Sequence, residues 1–308
     1  MFQEVFRKVL YGFFTLFGVV TAVFFLFNIL PGDPARMLLD ERQDAELLEN
    51  VRKKYGFDES LGMQYFYYLN DVSPISFHSK EKGKYSCLQS HDYSVLLKVD
   101  LGDTNLVLKS PYLRQSFQKN GKPVSRIIAE TLPNTAILAS VAIGISLLFG
   151  VLLGVLSALY KDRFFDRFIA VVSTVGMSVP SFLSAIVFAW VFGFVLKRYT
   201  GLNMTGSLYE VDDFGEGIYI QLKNLILPAL VLGIRPLAVV IQLMRNSLLE
   251  VLHQDYIRTA KAKGLSSFQM IKRHALKNAL NPVVTAISGW FASMLAGAVF
   301  VEYVFNWN

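Results

Sequence analysis

Long uninterrupted apolar runs decide what this chain can become. Val9 to Leu30 carries no charged residue, and at 1.5 Å per residue it is long enough to cross a hydrocarbon core of about 30 Å. Comparable stretches recur near Thr135–Tyr160, Phe168–Leu196, Leu225–Leu249 and Val283–Val301. Their apolar residues are gathered together rather than spaced for one helix face, which is the pattern of membrane spans and not of a water-soluble core. The chain therefore reads as an all-α membrane protein, a polytopic helical bundle of about five spans with a long extracytoplasmic loop after span 1. Arg7 and Lys8 precede the first run. That run is too long for a signal-peptide core and lacks a small-x-small cleavage site, so it reads as an uncleaved span with a cytoplasmic N-terminus.

Only 18% of the 308 residues are charged, and the net charge of +6 matters by its placement. The segments assigned to the cytoplasm hold most of the excess cations, while the long outer loop is close to balanced. The membrane and its lipid account for this basicity, and no nucleic-acid partner is needed. The single cysteine, Cys87, excludes an internal disulfide.

Between the spans, residues 31–132 are mixed and polar, with a helical stretch at Ala45–Tyr55 and an aromatic cluster at Tyr65–Leu69. His78, Cys87 and His91 fall in this loop without zinc-ligand spacing, and a solvated loop is the expectation. Pro133 and its Thr and Asn neighbours suit the start of the second span. Gly150, Gly154 and Ala158 recur every four residues along it, a flat face for close helix packing. Lys161, Asp162, Arg163, Asp166 and Arg167 form a charged turn placed in the cytoplasm. Gly176 to Phe182 interrupts the third span with Pro180, and a proline there kinks the helix against protein or water. The outer loop from Lys197 to Lys223 carries Asp212, Asp213 and Glu216. In the fourth span Arg235 precedes Pro236, and an arginine at mid-depth faces the bundle interior or a wet cavity. Two readings of Arg235 stay open: a pore-lining group for an anion such as a peptide carboxylate, or a side chain that snorkels or bonds a nearby carbonyl. Arg245 marks the cytoplasmic boundary.

The most basic segment is Asp255 to Pro282, which reads D-Y-I-R-T-A-K-A-K-G-L-S-S-F-Q-M-I-K-R-H-A-L-K-N-A-L-N-P. Its signals spell two short helices with a break. Asp255 suits the first cap, Gly264 a left-handed terminator, and Ser266 with Gln269 a capping box for the second helix. Asn281-Pro282 then stops it. A basic helical hairpin between spans belongs on the cytoplasmic side, where it holds headgroups or docks a partner.

This hairpin resembles the cytoplasmic EAA loop of bacterial ABC importer permeases, and most closely the dipeptide/oligopeptide subgroup. Arg258-Thr259-Ala260 stands where the general pattern has Glu-Ala-Ala, as in that subgroup, and Gly264 and the later A-L-x-N-A-L run agree. Leu30-Pro31-Gly32-Asp33-Pro34 after the first span is a second point of resemblance, and G-x-S-x-P-x-F around Pro180 a third. The resemblance implies a permease subunit of an ATP-driven peptide importer in the bacterial inner membrane. Its partners would be a second homologous permease subunit, two ABC-type ATPases and an extracytoplasmic substrate-binding protein. It further implies ATPase coupling through Tyr256, Arg258, Thr259, Ala260, Ala262, Gly264, Arg273, His274, Ala275, Leu276 and Asn278. Pro180, Ser181, Phe182 and Arg235 would lie near the translocation path. On this reading the permease core is 133–301 with the coupling loop 255–282, and 70–99 is an insertion. The family continues past V-E-x-x-F into a sixth span, whereas the chain stops at Asn308, so a truncated product is expected.

No phosphate loop is present. Gly83-Lys84 and Gly121-Lys122 lack its spacing and hydroxyl residue, so ATP would be bound by partner subunits, and this chain is expected to have no cofactor, no metal and no enzyme chemistry. An ion-coupled secondary carrier would want acidic residues within spans and internal repeats, and neither is seen. A non-transporting membrane scaffold is the third class left by the residues.

Overall fold

The computed structural model describes residues 2–29, 45–81, 85–88, 91–116, 119, 121–211 and 217–307. The expectations at Leu30–Pro34, Gly83-Lys84, Asp212, Asp213, Glu216 and Asn308 lie outside the described residues. Two compact units are present, Met1–Ala129 and Glu130–Asn308.

The first unit opens with α1, Phe2–Ile29, whose apolar side chains are exposed over most of its length. It is followed by α2, Ala45–Tyr55, and α3, Leu61–Val72. Thr21 and Tyr65 share a hydroxyl hydrogen bond of 2.7 Å, and Phe24 packs on the rings of Tyr65 and Tyr68, so α3 is fastened to the last turns of α1. Three antiparallel strands follow: β1 (Ile75–Ser79), β2 (Val95–Leu101) and β3 (Thr104–Lys109), in the order β1-β3-β2. Residues 70–99, read from the sequence as an insertion, thus supply β1 and most of β2 and are integral to this sheet.

The interior of this unit is polar and organised by Asp71, which is 1% exposed. Its carboxylate accepts from Tyr85 Oη at 2.6 Å, Tyr93 Oη at 2.9 Å and Arg114 Nε at 2.9 Å. Its main-chain carbonyl accepts from the Tyr112 amide at 2.8 Å and from the buried ammonium of Lys109. Such a centre survives burial because the acceptor is charged and its partners are fixed. His78 and His91, expected on a solvated loop, are instead packed here. His78 is fully buried and bonded to Ser76 and to the carbonyl of Ser86; His91 is wedged among Tyr85, Tyr93 and Tyr112.

The second unit carries the remaining apolar helices. The helix α4, Val124–Leu159, starts well before the predicted Thr135. Pro123 provides the helix start, its carbonyl accepting from the amides of Arg126 and Ile127, and Pro133 lies inside the helix. Next come α5 (Phe164–Ser178) and α6 (Ser181–Val195), which meet at 105°. The third span was expected as one kinked helix, but the chain stops and restarts. Val179 and Pro180 are extended, with ψ of 129° and 137°, because proline supplies no amide and disfavours helical geometry in the residue before it. The last turns of α6, Ala189–Val195, are π-helical. A short α7 (Lys197–Thr200) and a two-stranded ribbon, β4 (Tyr209–Val211) with β5 (Ile218–Ile220), lead into α8, Lys223–Leu252. The chain ends in α9 (Asp255–Ala262), α10 (Ser267–Ala279), α11 (Asn281–Gly297) and α12 (Val299–Phe305).

Among the described residues, α1, α4 and α8 are each long and apolar enough to cross a membrane. Counting the bent pairs α5–α6 and α10–α11 as one span each raises the number to five. The fold is thus the helical polytopic one expected, with two small sheets besides.

Its core is set by how closely α4 and α8 approach. A Cβ on Gly150 would stand 2.6 Å from Val240, and one on Gly154 would stand 2.7 Å from Met244 Cβ and 2.8 Å from the carbonyl of Ile241. In return, Gly233 of α8 sits against the Ala142 carbonyl, and Ser146 Oγ donates to the Gly233 carbonyl at 2.8 Å. This is small-residue packing of membrane helices, in which backbones meet without intervening side chains. At the other end of the chain, Thr135 donates to Glu302 at 2.6 Å, and Trp307 Nε1 donates to the Asn134 carbonyl at 3.3 Å.

Two outcomes follow from this packing. Gly154→Ala should destabilise the protein by about 1–3 kcal/mol through overpacking, read as a lower thermal-unfolding midpoint in detergent. Gly144→Ala, whose Cβ meets nothing within 4 Å, should not lower it; equal midpoints for the two variants would contradict the close approach.

In the first unit, burial pushes the His78 and His91 imidazoles below their ordinary value of 6.5. A depressed histidine leaves the unfolded chain binding more protons, so this stability is present above pH 6.5 and is lost as the pH falls below it. Near-ultraviolet circular dichroism of the tyrosine cluster should show a lower melting temperature at pH 5.5 than at 7.5. His78→Gln with His91→Gln should flatten that dependence, and a rise on acidification would refute it.

Candidate functional site

Two places gather the residues singled out in the sequence: the 255–282 hairpin and a cavity at the α5–α6 break. The hairpin is amphipathic by construction. Ile257, Ala260, Ala275 and Ala279 are buried, and Ile257, Ala275 and Ala279 belong to the same apolar cluster as Ala139, Val240, Met244 and Leu248 of α4 and α8. Leu276 is half-buried against that cluster. The cations Arg258, Lys261, Lys263, Lys272, Arg273 and Lys277 are exposed, as are Thr259, Ala262 and His274. Small residues on the inner side let the hairpin lie close to the spans, and long basic ones cover the outer side.

Local chemistry fixes its shape. Gln254, not Asp255, is the N-cap of α9; Asp255 stands in the first turn, where its charge complements the helix dipole. Gly264 has φ of +81° with nothing within 4 Å of a built Cβ, so glycine is required there by backbone conformation and not by crowding. Ser266 and Gln269 form the expected capping box. Asn278 Nδ2 donates to Tyr256 Oη at 2.7 Å and ties the two arms together. Residues Ile271–Ala275 make a π turn, a feature that clusters at functional positions. Asn281-Pro282 does not end the helical path; it bends it by 48° into α11, with Pro282 in the first turn, where its missing amide costs nothing.

The cavity has a volume of about 110 Å³ and is lined by residues including Gly176, Val179, Ser181, Ser184, Arg235, Trp290, Ser293 and Met294. Ser181 and Arg235, far apart in sequence, are thereby brought to one place. Pro180 and Phe182 are exposed beside the break and are not among the lining residues. The Arg235 Nη2 donates to the Val179 carbonyl at 3.4 Å, the bond to a nearby carbonyl that one sequence reading named, and the same side chain is among the lining residues.

One feature at the hairpin end of α8 escaped sequence reading. Asp166, 3% exposed, accepts from Arg245 Nε and Nη2, both at 2.6 Å, from Ser157 Oγ at 2.5 Å and from the Asp162 amide at 2.9 Å. A bidentate guanidinium–carboxylate pair with every acceptor position used is the form in which a buried ion pair is tolerable. It joins the end of α4, the following turn, the start of α5 and α8. The available signal was an opposite charge at the edge of each of two apolar runs, but the charged turn offered two acids, and spacing does not choose between them.

Long apolar helices around a small cavity, with a basic hairpin packed into the same core, are the make-up of a multi-pass membrane protein. Residues 150–308 match the family of binding-protein-dependent transport system inner membrane components, and residues 1–97 match the N-terminal region of such membrane components. The oligopeptide transport system permease protein AppB of Bacillus subtilis is 30% identical over 311 residues, covering 100% of this chain and 84% of the relative. The oligopeptide permease OppB of Haemophilus influenzae is 30% identical over 306 residues, 99% of this chain and 83% of the relative. The dipeptide permease DppB of Bacillus subtilis is 30% identical over 292 residues, 94% and 77% of the two chains. The chain belongs to the binding-protein-dependent transport inner membrane component family, the membrane permease part of ABC importers rather than their ATPase.

Breaking the Asp166–Arg245 pair on one side leaves a buried charge. Arg245→Met should therefore cost about 3 kcal/mol or more, and adding Asp166→Leu should restore part of the lost melting temperature. Additive losses in the double variant would show that the two groups do not interact.

Proposed function

We propose that this chain is the permease subunit of an importer of dipeptides or oligopeptides. It works with a second homologous permease subunit, two ATPase subunits that bind the ATP, and a binding protein that delivers substrate from outside. The hairpin faces the cytoplasm, as does the N-terminus, and docks into the ATPase.

The observation that carries this reading is the division of the hairpin into two sides. Ile257, Ala275 and Ala279 are part of the core of the spanning helices, so a partner that moves the hairpin moves α8 and α11 with it. Its basic outer side is left for that partner. ATP can drive such a motion only if the ATPase interacts differently with the two states of the bundle. Tyr256 and Asn278 keep the two arms moving as one piece.

The names of the relatives support peptides as the cargo, and Arg235 with the hydroxyls of Ser181, Ser184 and Ser293 suits a peptide carboxylate. A cavity of about 110 Å³ is smaller than the roughly 300–1,000 Å³ of small-molecule sites. On this reading the alternation of access that the hairpin drives, together with the second permease subunit, opens the larger space that a peptide needs.

The test is co-purification in detergent with the ATPases and the second permease. The native chain should capture the ATPases, and replacing residues 256–278 with a neutral linker should abolish capture. Gly264→Arg, strained at positive φ by about 1–2 kcal/mol, should leave the protein in the membrane and lower peptide uptake several-fold. Wild-type uptake in that variant, or capture without the hairpin, would sink the assignment.

A further inference from the structure

The small sheet of the first unit is built inside out. Its cross-strand register sets Ile75, Leu108 and Leu97 in one row and Phe77, Leu106 and Val99 in the next. Leu101 continues this face opposite Thr104. Because side chains alternate along a strand, these residues share one face. Ile75, Phe77, Leu97, Val99 and Leu101 are 43–59% exposed. The other face holds Ser76, His78, Asn105 and Lys109 together with the apolar Val107, all buried. The charged residues of β2, Lys98 and Asp100, pair with Val107 and Asn105 on that same side. A sheet in water keeps its apolar face in and its polar face out. Here the polarity is reversed, and the outward face carries no charge.

The position of the sheet relative to the first span says what it meets. The helix α3 is bonded to α1 through Thr21 and Tyr65 and packed on Phe24 and Phe25 through Tyr65 and Tyr68. Thr21 lies seven residues before Asn28, where the apolar span ends, or about 10 Å below that end. The contacts of α3 thus fall on the last two turns of the span, toward the end where a membrane boundary gathers tyrosines. Ile75 begins β1 only three residues after Val72 ends α3. The apolar face is thus tethered by a short link to the helix that packs on α1, whose own apolar side chains are exposed.

From this geometry we infer that the β1-β3-β2 face lies on the membrane surface, with Ile75, Phe77, Leu97, Val99 and Leu101 seated at the headgroup–acyl boundary. A soluble partner that docks and leaves is a poorer fit, since reversible interfaces are about as polar as ordinary protein surface. A monolayer boundary has no such requirement. It also accepts the polar interior built on Asp71, because that side of the sheet faces its own unit.

The test is site-directed spin labelling of the full chain, assembled with its partner subunits in lipid nanodiscs. Labels are placed by Phe77→Cys, Leu97→Cys, Val99→Cys and, as the opposite-face control, Lys98→Cys. The parent chain, whose one cysteine is buried, gives the background, and only variants keeping the parent's tyrosine near-ultraviolet dichroism are compared. Labels at 77, 97 and 99 should relax several-fold more with oxygen, which partitions into lipid, than with a water-soluble nickel chelate, and the label at 98 should do the reverse. Greater access to the nickel chelate at 97 and 99 would overturn the inference in favour of a water-facing sheet. Labels shielded from both reagents would overturn it in favour of a protein that covers this face.

Discussion

Everything in the second unit depends on how near the backbones of α4 and α8 come to one another. In a bilayer the hydrophobic effect does not drive helices together, since lipid is as apolar as leucine. Association must come from packing at short range and from a few polar bonds. Glycines 150, 154 and 233 remove the side chains that would hold the backbones apart, and Ser146 places a hydrogen bond in the gap so made. Once these two helices are fixed, α5 is anchored to α8 through Asp166 and Arg245. The hairpin then has a surface on which to lay its alanines.

The hairpin shows how a connection between spans becomes a fixed part of the bundle. A loop held only at its ends would absorb a push by bending. This one is bonded across its arms by Tyr256 and Asn278, terminated by a left-handed Gly264 and pressed into the bundle by Ile257, Ala275 and Ala279. None of those contacts uses the basic residues, which stay exposed.

Much of this was legible in the sequence where one residue suffices to set a local geometry. Gly264, the Ser266–Gln269 box and the four-residue stripe of Gly150 and Gly154 each have one physical meaning, and the structure has them in place. Length and apolarity likewise announced the long spans. What escaped reading depends on pairs distant in the chain. Nothing near Asp166 names Arg245 as its partner across 79 positions. The sheet was missed although its strands alternate, because they lie in a stretch that reads as a polar loop, in which His78 is expected to be solvated and is instead buried. Proline reads as a helix start at Pro133 and as a kink at Pro180, yet its setting decides otherwise: Pro133 and Pro236 sit inside helices, whereas Pro180 separates two.

The break at Pro180 also has an electrostatic side. A helix that restarts at Ser181 presents its first amides without helical partners, equivalent to about half a positive charge at that end. The Arg235 guanidinium lines the same cavity as Ser181, and no carboxylate is among the lining residues. A side-chain cation and the amide end of a helix therefore stand beside the same small space.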